Sequence, residues 1–247
     1  MMPKVFIVSD VHGHFTQLQK ALSEAGFDEQ DEQHFLLSLG DHFDRGRENA
    51  EVYTYLRRLQ EKKKAEALLG NHDTFLLEFF EKQDDRVRFN IAHNGFGATL
   101  ESFSGIPYEG PASLDIMRRR IHSRYPKLYD WLRERPLFLE RGPYIFVHGG
   151  IDGSDPNWRE TPGHDLVWNY QSELPGIEGR TLVVGHERTV MIRMKRGEVR
   201  SIDPGAPALF DVIEEADRVF IDGAVEFSGR INVYTLELDE PIIQKEA

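Results

Sequence analysis

Five short apolar runs in this chain each break off on residue types that can hold a cation or move a proton. The first, residues 5–8, leads into Ser9, Asp10, Val11, His12 and Gly13. The second, residues 35–37, is followed by Gly40, Asp41, His42, Phe43, Asp44, Arg45 and Gly46. The third, residues 67–69, reaches Gly70, Asn71, His72 and Asp73. The fourth, residues 144–147, gives His148, Gly149 and Gly150, and the fifth, residues 182–184, gives Gly185 and His186. There is no cysteine, so disulfides, thiolate metal sites and cysteine nucleophiles are excluded. Any metal must sit on imidazole, carboxylate or amide oxygen, a donor set for hard to intermediate cations.

Each motif also has a plainer reading. Asp10 could cap a following helix, and Asn71 with His72 could be a pair at a helix start. His148 and His186 could each be a satisfied core histidine. The stretch from Gly40 to Gly46 is harder to explain this way, because a turn needs one Asp and one Gly but not Arg45. Five coincidences at five strand ends are less economical than one shared site. The glycines beside these residues let the backbone turn sharply and approach a ligand.

The elements that must position them read as alternating β and α. The five runs are compact and rich in branched residues, as buried strands are. Phe15, Leu18 and Leu22 mark one face of a helix between the first two runs. Val52, Tyr55, Leu56 and Leu59 mark another between the second and third. This alternation predicts an α/β layered fold with ligands at the carboxyl edge of the sheet. Residues 84–135 carry no strand run. Leu114, Met117 and Ile121 predict one helix there, and Pro126 with Leu128 and Leu132 predicts a second. The segment is expected to be a helical insertion or cap (about 84–135) on a single domain spanning 1–247. Beyond Thr181 the pattern turns β-rich, with strands expected at 190–194, 199–202, 219–221 and 231–238.

The length of 247 residues and a hydrophobic content of 40% allow a sizeable core. The net charge of -12 argues against a protein that grips nucleic-acid backbone, which needs a basic stripe. It does not argue against a small phosphorylated substrate, since a metal cluster dominates its own surroundings. The first apolar run is too short for a signal peptide and no run approaches a membrane span, so a cytoplasmic protein is expected.

Taken in order, these motifs resemble the phosphoprotein phosphatase family of metallophosphoesterases, over roughly residues 5–190. Asp222 and Gly223, with Gly229, Arg230, Ile231, Asn232 and Val233, resemble that family's closing strands. The short, cysteine-free chain is more similar to its compact bacterial serine/threonine phosphatase-like members, and Asn94, Gly95, Gly97 and Thr99 resemble a segment of those.

The resemblance implies a calcineurin-like β-sandwich flanked by helices. It also implies a binuclear centre holding two divalent metal ions, Mn²⁺ foremost, with iron or zinc as alternatives. Asp10 and His12 would hold the first metal, Asp41 would bridge both, and Asn71, His148 and His186 would complete the second. A hydroxide shared by cations about 3.5–4 Å apart would attack phosphorus in line with the leaving oxygen. Arg45 would bind phosphoryl oxygens through its planar fork. His72 would be the general acid, oriented by Asp44.

His42 and Asp73 occupy positions expected to be neutral or supporting. The family's further phosphate-binding arginine has no counterpart near residues 166–170. Arg159 and Arg180 are near in sequence without an assignable role, so clamping is expected to rest on Arg45. Arg118, Arg119 and Arg120 form a basic run whose default reading is a solvated helix face, the alternative being a role in binding an anionic substrate.

Three functions follow from this reading. The first is a serine/threonine protein phosphatase acting on phosphomonoesters, with a phosphorylated protein as substrate. The alternative is a dinucleoside polyphosphate hydrolase acting on substrates such as diadenosine tetraphosphate, which would need basic and aromatic groups near the site. The third, a metal-stabilised binding module without turnover, would not need Arg45 or His72.

Overall fold

Successive side chains of β1 (Lys4–Val8) point to opposite faces, so Val5 and Ile7 enter one apolar cluster while Phe6 and Val8 enter another. The run is continuously apolar because both faces of the strand are covered. The same split recurs in β5 (Tyr144–Val147), where Phe146 faces the first of those clusters and Ile145 and Val147 face a third.

The structure, a computed structural model, describes residues 3–238. They form two sheets. In the first, β1 lies parallel to β2 (His34–Ser38), β2 parallel to β3 (Ala65–Ala67), and β9 (Tyr234–Glu237) runs antiparallel along β1. In the second, β5, β6 (Thr181–Val184) and β8 (Arg218–Phe220) are parallel. They are bordered by the antiparallel edges β4 (Phe138–Arg141) and β7 (Ile213–Glu214). Val5, Ile7, Phe35, Leu37, Phe146, Val183 and Val219 come from both sheets and share one buried cluster, the filling of a β-sandwich. Helices cover the outer faces, giving the expected α/β architecture of a β-sandwich flanked by helices.

On the first sheet lie α1 (Phe15–Glu24) and α2 (Asn49–Glu61), whose expected apolar faces bury Leu18, Leu22, Val52, Tyr55, Leu56 and Leu59. Next come α3 (Asp73–Phe80), α4 (Asp84–His93), α5 (Phe96–Ser104), α6 (Leu114–Arg124) and α7 (Leu128–Arg133). Phe96, Leu100, Phe103, Met117, Ile121 and Trp131 of this group join the same cluster as Phe6, Val8 and Leu36. Each such side chain contributes about 1.5–3 kcal/mol on burial, so these helices are tied into the sheet's own core. The second sheet carries α8 (Gly163–Trp168) and α9 (Thr189–Lys195), and α10 (Val225–Ser228) follows β8.

The expected strand at 190–194 is instead α9, which buries Thr189, Val190 and Ile192 and exposes Met191. Branched residues favour a strand only where a sheet edge is free to receive it, and β6 is already paired on both sides by β5 and β8. Residues 199–202 form no strand, and of 231–238 only Tyr234–Glu237 pairs. The edge strand β4, half-buried and without a branched run, was not anticipated. Among the described residues no helix is long and apolar enough to cross a membrane.

Candidate metal centre

Six parallel strands, three in each sheet, end at loops that carry Asp10 and His12, Asp41, Asn71 and His72, His148, His186, and Asp222. Backbone bonds stitch the loops together: the Asp10 amide donates to Gly40, His12 to Asp41, Gly185 to His148, and Thr189 to Asp222. The turns are sharp. Nine non-glycine residues among those described have positive φ, and six are Asp10, His12, Asp41, Asp44, Arg45 and His186. Left-handed backbone in residues with a Cβ is uncommon and concentrates where side chains must be aimed at a site. A Cβ on Gly70 would fall on the backbone nitrogen and Oδ1 of Asp41, so glycine there is what lets two loops meet.

Three histidines share one arrangement. Nδ1 of His12 donates to the Phe43 carbonyl at 2.8 Å, and Nδ1 of His148 to the Leu39 carbonyl at 2.9 Å. His186 bonds the Trp168 backbone, while its Nε2 is buried without a partner. A ring nitrogen fixed on a carbonyl leaves the other as a lone pair, which is how metal-binding imidazoles are held. The Nε2 atoms of His12 and His148 converge on Asp41: Oδ2 lies 3.6 Å from His12 and Oδ1 lies 3.3 Å from His148. Nε2 of His148 is 2.9 Å from Oδ1 of Asn71, and Nε2 of His12 is 3.9 Å from Oδ1 of Asp10. Two donor atoms each about 2.0–2.2 Å from one cation must stand roughly 3 Å apart, so most of these spacings fit a shared ion. Among the described residues two groups close tightly enough to hold one: His12, Asp41 and His72, and Asp41, His148 and His186. Asp41 is common to both.

The charges point the same way. Burial holds the Asp10 carboxyl above its usual range, and Asp41 beside it adds to the effect. Asp41 is buried as well, yet His148 and His72 hold it well below the carboxylate range. Burial opposes a charge on His148, but Asp41 and Asp10 outweigh it and push the ring up to about 9. Burial and the neighbouring His148 push His186 down to about 3. The carboxylates thus draw a proton into a buried cluster, and a bound cation supplies that positive charge directly.

His72 is held differently. Its Nδ1 donates to Asp44 at 2.7 Å, and its Nε2 lies 3.0 Å from Nη2 of Arg45. Burial would lower its pKa, but Asp41 and the bond to Asp44 raise it. Asp44 is anchored in turn by the Thr99 hydroxyl at 2.5 Å, and the Arg45 amide donates to Gly95 at 3.3 Å. Residues 94–99 therefore buttress the acid–base pair from α5.

Asp73, expected to be neutral, joins two motifs. Its carboxylate accepts the amides of Asp41, His42 and Gly70 and the His42 ring, at 2.9–3.1 Å. Asp73→Ala would strand four buried donors and is expected to cost about 3–5 kcal/mol of stability. An unfolding free energy from urea denaturation unchanged to within about 1 kcal/mol would mean that those donors find other partners.

The sequence reading missed several groups at this edge. Arg188 follows His186 by two residues and pairs with Glu226, which also binds Arg45. Asp222 is buried, and burial with Asp10 nearby pushes its carboxyl well above the usual range. Trp168 and Tyr170 flank His186 with ring centres at 6.0 and 5.2 Å, though they are 38% and 47% exposed. Arg118 is buried, bonded to the Phe79 carbonyl and to Asp84 and Asp115, and Arg120 donates to Ser104. Arg118 is thus a buried structural tie, while Arg119 and Arg120 stay on the exposed face.

The sequence pattern of the calcineurin-like phosphoesterases matches residues 3–199. Among curated proteins the chain is similar to symmetrical bis(5'-nucleosyl)-tetraphosphatases. One, from Neisseria meningitidis, is 27% identical over 69% of this chain and 51% of that protein. Another, from Psychromonas ingrahamii, is 29% identical over 72% of this chain and 54% of that protein. The chain therefore spans about half the length of these relatives. In solved structures the fold resembles one described as a candidate diadenosine tetraphosphatase, with TM-score 0.58 and 19% identity over 95% of this chain and 90% of that one. It also resembles a Saccharomyces cerevisiae serine/threonine phosphatase, with TM-score 0.53 and 15% identity over 97% and 82%.

Proposed function

We propose, from the premise that the chain belongs to the calcineurin-like phosphoesterase family and is a phosphoric ester hydrolase, that it cleaves dinucleoside polyphosphates such as diadenosine tetraphosphate. The observation that carries this reading is the aromatic wall at the site. Trp168 packs against Phe75, which touches His72, and against His186, so an exposed indole stands between the two halves of the cluster. Tyr170 stacks on His186 from a second side. His164 stacks on Trp168 and Lys195 lies over the Tyr170 ring, yet both rings stay partly exposed beside the cluster, and such partly open rings offer stacking to a base, since every base has a π-face. A phosphoserine or phosphothreonine side chain has no such ring. The names of the curated relatives favour a nucleotide substrate too, whereas the likeness to serine/threonine phosphatase structures is one of fold.

In this reading Asp10, His12 and Asp41 would hold one cation, and Asp41, Asn71, His148 and His186 would hold the other. When bound, divalent cations supply positive charge at the phosphoryl oxygens and make nearby water more acidic. Arg45 holds phosphoryl oxygens with its fork. His72 delivers a proton to the leaving oxygen, and Asp44, itself held by Thr99, keeps the ring aimed. Trp168 and Tyr170 place the nucleoside so that the scissile phosphorus meets the cluster.

The test is product analysis on diadenosine tetraphosphate with manganese-supplemented protein, beside p-nitrophenyl phosphate and a phosphoserine peptide. ADP is the expected product. Turnover of the peptide with an inert dinucleotide would sink the nucleotide reading and restore the protein-phosphatase one. Trp168→Ala is expected to raise KM for the dinucleotide by about 5–100-fold, the worth of one stacked base, with little change on p-nitrophenyl phosphate. Equal losses on both substrates would show that Trp168 shapes the cluster rather than binding a base.

A further inference from the structure

Two arginines from distant parts of the chain meet on one carboxylate oxygen. Arg45 Nη1 donates to Glu226 Oε1 at 2.9 Å, and Arg188 Nη2 donates to that same oxygen. The second oxygen, Oε2, is buried and has no hydrogen-bond partner. All three side chains are partly exposed, at 24%, 28% and 17% for Arg45, Arg188 and Glu226. Arg188 also lies over the exposed ring of Phe227, 5.2 Å from its centre. The other end of the Arg45 fork is bonded to Nε2 of His72, so this carboxylate sits one side chain away from the proposed acid.

A carboxylate placed only to tie down arginines would use both oxygens, since the fork of guanidinium and the fork of carboxylate match in pairs. Here one oxygen carries two guanidinium groups and the other is stranded, an arrangement that costs the unmade hydrogen bond. A phosphoryl group has more oxygens to share and up to two negative charges, and it would satisfy both arginines at once.

We propose that Arg45 and Arg188 form a two-arginine clamp for a phosphoryl group, and that Glu226 is an internal anion occupying this clamp until a more highly charged phosphate displaces it. The proposal rests on the reading of the cluster as a phosphoester site. Glu226 then acts as a specificity-determining residue. A singly charged phosphodiester offers the arginines little more than Glu226 already does, whereas a monoester dianion or a polyphosphate offers more. Displacement also turns the Arg45 donor away from His72, leaving Nε2 of that ring open to carry a proton.

Inorganic phosphate is the probe, titrated calorimetrically into manganese-supplemented protein at low salt. This readout does not depend on whether diadenosine tetraphosphate is a substrate. Glu226→Gln is expected to tighten phosphate binding by about tenfold, the size of one charge contact of about 1.4 kcal/mol. Arg188→Ala is expected to weaken it by about tenfold, with Arg188→Lys in between because it keeps the charge and loses the fork. Glu226→Gln should also narrow the preference for p-nitrophenyl phosphate over bis(p-nitrophenyl) phosphate. Weaker phosphate binding in Glu226→Gln would make Glu226 a scaffold for the clamp and overturn the displacement. Unchanged binding in Arg188→Ala would remove Arg188 from the site. Arg196→Ala, which breaks a pair with Glu215 on the far end of α9, is the control for a general loss of positive charge.

Discussion

Asp41→Asn is expected to lower turnover of p-nitrophenyl phosphate by at least about a thousandfold, equivalent to roughly 4 kcal/mol of transition-state stabilisation. The reason is geometric. Asp41 is the one residue common to both groups able to hold a cation, with Oδ1 turned to His148 and Oδ2 turned to His12. An amide keeps a single neutral oxygen and turns an NH₂ group toward one imidazole lone pair. Metal content per chain, measured alongside turnover, should fall with the rate. Some fold stability should be lost too, because His148 and His72 more than offset the burial of the Asp41 carboxylate and the His72 amide donates to it, so turnover is compared at a temperature where the variant is folded. Near-normal turnover in this variant would refute the bridging role.

His72→Asn should separate acid from ligand. The ring lies within reach of His12 and Asp41, so it could in principle join the first cation's shell. Its hydrogen bonds argue otherwise: unlike the other three histidines it spends Nδ1 on a carboxylate and offers Nε2 to Arg45. As a general acid it is worth about 10²–10⁴ in rate. The loss should depend on the leaving group. It should be larger for phenyl phosphate, whose more basic phenolate needs a proton, and smaller for p-nitrophenyl phosphate, whose phenolate is already stable. Metal content should hold. A collapse in metal content, or a loss independent of the leaving group, would make His72 a ligand.

The placement of the metal-capable residues was legible because strand ends are local events. An apolar run followed by glycine and a polar cluster announces both the strand and the loop that ends it, as at Asp10, Asp41 and His148. The run at 190–194 misled for the complementary reason. Its branched residues suit a strand, but whether a sheet edge is available for it is decided by β5 and β8. Asp73 reads as neutral in the sequence because its bonds run to the amides of Asp41 and His42, more than thirty positions earlier in the chain.

Residue order alone dictates which residue types reach the carboxyl edge, that no thiol chemistry is possible, and the order in which the motifs arrive. Tertiary structure decided which of them meet. Thr99 holds Asp44 across 55 positions, and Arg45 and Glu226 are 181 positions apart. Trp168 stands beside both Phe75 and His186. Periodicity reports only which face of its own element a side chain occupies. Two faces from separate sheets become one site only when the cluster of Val5, Ile7, Phe146 and Val183 closes between them, and that burial is a property of the packed chain.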